Sequence, residues 1–314
     1  MAVQRDMAAM PSFQTLRRGI PLYYGSLCTL GVTAMHRRLR NAGPILCYHN
    51  VVPSECGHHG EPGLHVTSER FERQMDWLAR HYTVIRLSEF VDRMTTGGSL
   101  RSVAAITFDD GYAGVFEHAA PVLEGLGLPA TVFVVADGAG RRTGFWWDHD
   151  SIIESATPAR RERWLNELRG DGAAIVAQEA PSAARRLPAS HWLADWETIR
   201  KWVRRGIDIG GHSATHRALP MLTDAELEYE VVTSRSIVHR ATGIWPEFFA
   251  YPYGRYDARV RAMVQAAGHR GSFTLDAGLN RAGVDPWCLR RINVPATISD
   301  TAFEAWTAGL SRGT

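Results

Sequence analysis

Two adjacent aspartates follow an apolar stretch that is typical of a strand. Asp109 and Asp110 lie between the stretch Ala-Ala-Ile-Thr-Phe and Gly111. Neighbouring side chains of an extended chain point to opposite faces, and two carboxylates held close together repel each other. A divalent cation would remove this repulsion, since one carboxylate can bind it while the other stays free as a base. The pair therefore predicts a metal-dependent hydrolytic site, in which a base and a metal-activated water form the nucleophile.

Two histidines, His212 and His216, follow a second predicted strand and stand four positions apart. On a helical turn such residues share a face, so both imidazoles could bind one ion. A carboxylate from Asp109 or Asp110 would complete a set of two histidines and one carboxylate, with open positions for water and substrate. A pair of surface histidines is the alternative, but the aspartates at another strand end favour the metal site.

Further polar and aromatic residues lie near predicted strand ends, where α/β barrels collect their catalytic groups. His49 ends the first predicted strand, and the run from Tyr251 to Gly254 follows a later one. The segment Gly-Phe-Trp-Trp-Asp contains Trp147 and Asp148. We expect Trp147 either to stack on a sugar ring or to anchor its segment to the barrel, and Asp148 either to bind a sugar hydroxyl or to cap a helix.

Strands and helices alternate from residue 44 onward, which predicts an α/β fold with a parallel sheet, either a barrel or an open doubly wound sheet. Residues 137–195 interrupt this alternation with polar helical stretches, and we interpret them as an inserted helical segment. The predicted domain therefore covers residues 44–314, preceded by a basic and apolar helical extension over residues 1–43.

The N-terminal extension contains an uncharged stretch, Gly-Ile-Pro-Leu-Tyr-Tyr-Gly-Ser-Leu-Cys-Thr-Leu-Gly-Val-Thr-Ala-Met, with arginines on both sides. This stretch is short and weakly apolar for a spanning helix, and no good signal-peptide cleavage site follows it. We expect an uncleaved helix that lies on the domain or contacts a membrane surface through its arginines. A cytoplasmic or membrane-associated protein is favoured over a secreted one.

Composition excludes some partners and chemistries. The 314 residues have a net charge of +2 and include no basic block, which argues against a nucleic-acid partner. The four cysteines form no Cys-x-x-Cys pair, so we expect reduced thiols and no disulfide framework.

The motifs TFDDG, HSATH and YPYG occur in this order along the chain. They resemble those of the polysaccharide deacetylase family, carbohydrate esterase family 4, with its NodB-homology domain, and the resemblance covers about residues 44–298. It implies a distorted (β/α) barrel of about seven strands. It also implies removal of N-acetyl or O-acetyl groups from sugar polymers with a divalent metal, often zinc.

The resemblance also assigns roles to individual residues. Asp109 would be the catalytic base, and Asp110, His212 and His216 would bind the metal. The backbone N–H of Tyr253 would help to hold the oxyanion. The groove for the substrate would be lined by the loop residues Tyr251, Pro252, Tyr253 and Gly254.

Two positions depart from the family pattern. Ala250 occupies the place of an arginine that orients the base, and Arg291 occupies the place of a histidine that protonates the leaving amine. We group Arg291 with the substrate-contacting residues. The surrounding sequence is instead similar to the branch of exopolysaccharide and poly-N-acetylglucosamine deacetylases, and His49 becomes the candidate acid, with a structural or substrate-contacting role as the alternative.

These motifs predict a metal-dependent hydrolase that removes N-acetyl groups from an N-acetylated polysaccharide or sugar intermediate. Two alternatives remain. The same site could remove O-acetyl groups or deformylate a lipid-linked sugar, or the chain could be a catalytically silent relative that binds glycans.

Overall fold

The computed structural model describes residues 19–56, 59–180 and 187–311, and the side chains from residue 22 onward. Within these residues the strands are β1 Ile45–Tyr48, β2 Asn50–Val52, β3 His65–Thr67, β4 Thr83–Val84, β5 Val103–Phe108, β6 Thr131–Val134, β7 Asp208–Gly211, β8 Phe248–Ala250, β9 Gly271–Phe273 and β10 Ile292–Asn293. The helices are α1 Gly19–Thr29, α2 Val32–Leu39, α3 Ser68–His81, α4 Leu87–Thr96, α5 Ala120–Leu126, α6 Asp150–Ser155, α7 Pro158–Asn166, α8 Gly172–Glu179, α9 Trp196–Val203, α10 Asp224–Glu228, α11 Ser234–Thr242, α12 Ala258–Ala266 and α13 Asp300–Thr307.

Seven parallel strands form a curled sheet in the order β10, β1, β5, β6, β7, β8 and β9, and β4 pairs with β5 beside this path. A single parallel bridge between Phe273 and Leu289 joins β9 to the chain just before β10. All six residues of β5 are buried, as expected for a parallel strand covered on both faces. The predicted α/β barrel of about seven strands is confirmed.

Helices surround the sheet because their apolar faces bury against it. In α3, Phe71, Met75 and Leu78 repeat at helical spacing and are all buried. The helix α4 ends at Gly97, whose left-handed conformation, with φ of 79°, is the usual C-terminal stop of a helix. Because these strands are parallel, the carboxyl ends of β1, β5, β7 and β8 lie at one edge of the barrel.

The segment between β6 and β7 contains the predicted insertion. It includes α6, α7 and α8, followed by α9, whose N-terminus is capped by Asp195. Trp164 of α7 is buried against Trp146, with ring centroids 5.3 Å apart. The indole of Trp146 also donates a hydrogen bond to the hydroxyl of Tyr253, in the loop after β8, at 3.1 Å, so the insertion contacts the barrel through this aromatic residue.

Two helices of the predicted N-terminal extension, α1 and α2, lie against the C-terminal helix α13. The indole of Trp306 donates a hydrogen bond to the hydroxyl of Tyr24 at 3.0 Å, and Thr33 donates to Glu304 at 2.5 Å. Residues 1–18 of the extension lie outside the described residues. Among the described helices, none combines the length and the apolar character that crossing a membrane would require.

Candidate active site

Asp109 and Asp110, which we call the acid pair, lie on a tight turn where β5 ends. Asp110 and Gly111 both adopt left-handed backbone conformations, with φ of 73° and 76°. Aspartate tolerates this conformation better than most residues. At Gly111 an added Cβ would lie 3.2 Å from a methyl carbon of Val134, so the position favours glycine for space as well as for conformation. This turn gives the two carboxylates different surroundings.

Asp110 faces both histidines of the HSATH motif. Its Oδ1 lies 3.4 Å from Nε2 of His212 and 3.4 Å from Nε2 of His216, and all three side chains are buried. Within the described part of the chain, neither carboxylate oxygen of Asp110 has a geometrically good hydrogen-bond partner. The Nδ1–H of His212 donates to the carbonyl of Ala250 at 2.8 Å, which leaves the Nε2 lone pair aimed at the cluster. A divalent metal fits this set of donors.

The two histidines converge through a loop and not through a helical turn. Ser213 and His216 adopt left-handed conformations, with φ of 65° and 61°. The buried carboxylate of Glu230 holds the loop by accepting hydrogen bonds from the backbone N–H groups of Ala214 and Thr215, each at 2.9 Å. Sequence reasoning missed Glu230 because nothing in its local sequence distinguishes it from a surface glutamate of a helix.

The electrostatics of the cluster suit metal ligands. Burial and the neighbouring His212 lower the pKa of His216 to about 3, so this imidazole is neutral at neutral pH. Burial also acts to lower the pKa of His212, but the carboxylates of Asp109 and Asp110 outweigh it and raise that pKa. For Asp110, burial acts upward, and the neighbouring histidines hold its pKa below the usual range. The carboxylate is thus charged and ready to bind a cation.

Asp109 has a different partner. Its two oxygens accept hydrogen bonds from the two terminal nitrogens of Arg291, each at 2.7 Å, in a bidentate ion pair. The thiol of Cys47 also donates to Asp109 Oδ2 at 3.5 Å. Burial alone would raise the pKa of Asp109, but the guanidinium of Arg291 holds it well below its usual range. This carboxylate is therefore charged and fixed in orientation.

His49 lies between β1 and β2, next to the acid pair. A ring nitrogen of His49, a carboxylate oxygen of Asp109 and the sulfur of Cys47 all lie within 4.8 Å of one another. Burial lowers the pKa of His49, while the carboxylates of Asp110 and Asp109 act in the opposite direction. The imidazole is partly exposed, so it can reach a molecule bound at the mouth of the barrel.

An aromatic wall continues the site on the side of His216. We use this name for Phe145, Trp147 and Tyr253, whose ring centroids lie 5.6, 4.8 and 4.5 Å from that of His216. The rings of Phe145 and Trp147 are stacked, 4.4 Å apart and 8° from parallel. Trp147 also donates its indole N–H to the hydroxyl of Tyr112 at 2.9 Å. It therefore lines the site and anchors its segment at the same time.

Two predicted substrate-contacting side chains point elsewhere. Asp148 is buried and accepts hydrogen bonds from the hydroxyl of Tyr112 and the N–H of Phe145, so its carboxylate supports the wall and does not face a sugar. The hydroxyl of Tyr251 donates to the carbonyl of Trp287 at 3.2 Å. Tyr251 is fully buried, and Pro252 is buried beside it.

Tyr253 reaches the site, and Gly254 makes the turn that places it. Tyr253 has φ of 58°, and its hydroxyl accepts a hydrogen bond from the indole of Trp146 at 3.1 Å. At Gly254, with φ of 68°, an added Cβ would lie 2.8 Å from the backbone nitrogen of Leu275. The loop thus contributes one ring and one strained turn, and its remaining side chains support the barrel.

The sequence matches the family model described as "Polysaccharide deacetylase" over residues 97–272. The chain belongs to the polysaccharide deacetylase family. This match confirms the family and the enzyme class that the motifs predicted.

Relatives of known sequence or structure agree with this membership. A Bacillus subtilis (strain 168) protein, YxkH, whose name describes it as a polysaccharide deacetylase, is 22% identical over 269 residues, which cover 85% of this chain and 76% of that protein. IcaB from Ammonifex degensii is 21% identical, with a TM-score of 0.61 over 86% of this chain and 99% of that one. BC0361, a polysaccharide deacetylase from Bacillus cereus, is 19% identical, with a TM-score of 0.61 over 85% and 69% of the two chains. These structures share the fold.

The position of Arg291 corrects the role expected for it in this deacetylase. Arg291 is fully buried, so it cannot contact a substrate. Arg291 directly precedes β10. Because Leu46 pairs with Ile292 and Ile45 pairs with Ala105, the backbone of Arg291 is level with Ala105, about four residues before Asp109 along the strand direction. From there the side chain crosses the barrel interior, and its Nε donates to the carbonyl of Thr274 at 3.0 Å. Arg291 thus orients the carboxylate of Asp109, as the resemblance had expected of an arginine at the position of Ala250.

Proposed function

We propose that this deacetylase removes N-acetyl groups from an N-acetylated glycan with a divalent metal bound by Asp110, His212 and His216. Two imidazoles and one carboxylate are donors typical of zinc, which we infer as the metal. The observation that carries the proposal is the contrast inside the acid pair. Arg291 keeps the carboxylate of Asp109 charged. The neighbouring Asp110 has two buried oxygens without a good hydrogen bond among the described residues, and it faces the imidazoles of His212 and His216.

The roles of the side chains follow from their positions. A metal bound to Asp110, His212 and His216 would polarise the acetamide carbonyl and acidify a water molecule. Asp109, kept ionised and oriented by Arg291, accepts the proton of the attacking water. His49, with a ring nitrogen within 4.8 Å of an Asp109 oxygen, would in its protonated form donate a proton to the nitrogen of the leaving amine.

The surroundings of the reacting carbonyl complete this assignment. The backbone N–H of Tyr253 is the proposed hydrogen-bond donor to the oxyanion that forms when water attacks. The ring of Tyr253 and the aromatic wall shield this position from bulk water, which strengthens each electrostatic interaction there.

Membership of the polysaccharide deacetylase family and the aromatic wall support a glycan substrate, since flat rings suit the C–H faces of sugars. The alternative of a catalytically silent relative drew some weight from the missing arginine at position 250 and the missing histidine at position 291. The ion pair of Asp109 with Arg291 weakens this alternative, because the charge that orients the base is present and arrives from another strand. O-deacetylation and deformylation remain as outcomes of the test below.

The substitution Asp109→Asn tests the base. We expect the variant to retain zinc at the wild-type stoichiometry and to lose turnover of N-acetylglucosamine oligomers by about 10²–10⁴-fold. Metal content is measured by mass spectrometry and released acetate by a coupled assay. A chelator should abolish wild-type turnover, and added zinc should restore it. Wild-type rates in Asp109→Asn would contradict the assignment, and release from acetyl esters or formamides alone would identify the alternative substrate.

The substitution His49→Gln tests the acid. Departure of an amine requires protonation, whereas an aryl oxide leaves without it. We therefore expect His49→Gln to slow N-acetylglucosamine hydrolysis by at least about 100-fold and to change 4-nitrophenyl acetate hydrolysis much less. An equal loss on both substrates would assign His49 to binding or structure instead.

A further inference from the structure

A cavity of about 850 Å³ extends from His216 beneath the inserted segment. It joins the aromatic wall to α8, so a substrate at the barrel mouth would extend into it. Most of its surface is apolar, contributed by Phe145, Trp146, Trp147, Tyr253 and Val176. Burying a charged group in apolar surroundings costs free energy unless the group has a partner of opposite charge or hydrogen bonds. A charged side chain of this cavity without such a partner is therefore a candidate for binding a ligand.

Four arginine, aspartate or glutamate side chains line this cavity, and three of them have partners. Glu230 accepts the two hydrogen bonds that hold the HSATH loop. Arg217 lies 3.0 Å from Glu226 in an ion pair. Asp171 caps α8 by accepting a hydrogen bond from the N–H of Ala174 at 3.0 Å. Each of these three charges is thus already used by the fold.

Arg141 is the fourth charged side chain, and its charge has no such partner. Its Nε is buried without a hydrogen-bond acceptor, and no carboxylate of the described residues forms an ion pair with its guanidinium. The guanidinium carbon lies 4.9 Å from the ring centroid of Phe145. Burial lowers the pKa of Arg141, and the more distant carboxylates of Asp148 and Asp110 act in the opposite direction. The group stays positive at neutral pH.

Stacking on Phe145 does not satisfy this guanidinium. The contact uses one face of the planar group, whereas its N–H donors lie in the plane and point past the ring. These donors match the oxygens of a carboxylate or a phosphate in a bidentate arrangement. The ring of Phe145 lies near both groups: its centroid is 4.9 Å from the guanidinium carbon of Arg141 and 5.6 Å from the ring centroid of His216.

We infer that Arg141 binds a carboxylate or phosphate group of the substrate, so that the glycan is anionic at the sugar that loses its acetyl group or at its neighbour. This inference rests on the proposed function for the identity of the reacting sugar, but the anion site itself does not depend on hydrolysis. A neutral polymer of N-acetylglucosamine would leave the Arg141 donors unpaired and would bind less tightly.

Three probes separate the possible anions. N-acetylglucosamine is neutral, N-acetylmuramic acid adds a carboxylate, and N-acetylglucosamine 1-phosphate adds a phosphate. Binding is followed with the zinc-loaded protein by tryptophan fluorescence, because Trp146 and Trp147 line the cavity. We expect at least one anionic probe to bind at least tenfold more tightly than the neutral sugar. The stronger of the two anions identifies the source of the charge.

The substitution Arg141→Gln should reduce this preference at least tenfold, and Arg141→Lys should retain part of it. The matched control is Arg142→Gln, since the exposed Arg142 stacks on Trp192 in the same way, at 5.1 Å, but does not line the cavity. We expect no change in this control. Near-ultraviolet circular dichroism verifies the fold of each variant, and the wild-type preference can be measured whether or not the variants fold.

The failure of the site and the failure of the proposed function give different results. Equal binding of the three probes, or a preference that survives in Arg141→Gln, overturns the anion site even if acetate is released. A preference that depends on Arg141, with no acetate released from any acetylated sugar, supports the site and overturns the deacetylase proposal.

Discussion

Asp109 and Asp110 are neighbours in sequence with the same side chain, yet their carboxylates have different partners in the fold. Asp109 forms two hydrogen bonds to Arg291 inside the barrel. Asp110 faces His212 and His216 and has no good hydrogen bond to either oxygen within the described chain. Both carboxylates are almost fully buried. One charge is balanced by the protein, and the other is suited to balance by a cation.

This difference separates what stabilises the fold from what serves the reaction. In the folded protein, a buried carboxylate with a bidentate arginine depends on that arginine whether or not a metal is bound. A buried carboxylate beside two imidazoles gains its full stabilisation only when a metal binds, so its contribution depends on metal concentration. Substitutions at Asp109 or its partner Arg291 should therefore change stability independently of metal, whereas substitutions among Asp110, His212 and His216 should change the stability that metal binding adds.

The largest expected effect is on the side of Asp110. His216→Ala removes one of three ligands, and we expect activity to fall about a thousandfold or more, because a metal stabilises the transition state by several kcal/mol. Wild-type protein at a zinc concentration 100 times its Kd should gain about 2.7 kcal/mol of stability, and the variant should lose most of this gain. Thermal unfolding with and without zinc measures it.

A histidine outside the site provides the control for this experiment. His239, on α11, stacks on Trp245 with ring centroids 3.9 Å apart and belongs to neither group of candidate metal ligands among the described residues. We expect His239→Ala to keep the zinc-dependent increase in stability. If His216→Ala retained the same increase and stoichiometric zinc, the three side chains would not form the metal site.

A second effect, independent of metal, is expected on the stability of the protein at Asp109. Arg291→Met leaves a buried carboxylate without its partner, and we expect a loss of about 3–5 kcal/mol in the free energy of unfolding, measured by urea denaturation with and without zinc. The double variant Asp109→Asn/Arg291→Met removes both charges and should recover part of this loss. Strictly additive effects of the two substitutions would show that the ion pair does not couple them.

The sequence predicted the residues of the acid pair better than their partners. Asp109, Asp110, His212 and His216 follow strands of a repeating pattern, and parallel strands bring their carboxyl ends to one edge of the barrel. That rule applies to any residue at a strand end, and it placed these four side chains together. The fold class and the family followed from the same pattern and from the motifs around it.

The role of Arg291 could not be predicted by this rule, since Arg291 precedes its strand and reaches Asp109 through the barrel interior. Strand register and side-chain path decide such a contact, and neither is encoded in a local motif. The conformation of the HSATH loop could not be predicted for a related reason. Its left-handed residues, Ser213 and His216, are held by Glu230 from a distant helical segment.

The smallest expected effect concerns the aromatic wall, which supports Asp110 indirectly through His216. The hydroxyl of Tyr112 accepts from the indole of Trp147 and donates to Asp148, and all three side chains are buried. Tyr112→Phe would leave the indole N–H without its acceptor and remove a donor from the carboxylate. We expect a loss of about 1–3 kcal/mol in the free energy of unfolding, present with and without zinc.

An exposed tyrosine with a similar bond is the matched control. The hydroxyl of Tyr229 donates to Asp137 at 2.8 Å, but the ring is 44% exposed, so water can replace the bond. Tyr229→Phe should therefore change stability by no more than about 0.5 kcal/mol. Equal losses in the two variants would mean that burial adds nothing to the Tyr112 bond. If zinc binding cancelled the loss of stability in Tyr112→Phe, the prediction of a metal-independent effect would be wrong. The aromatic wall would then act by holding His216 in its ligating position.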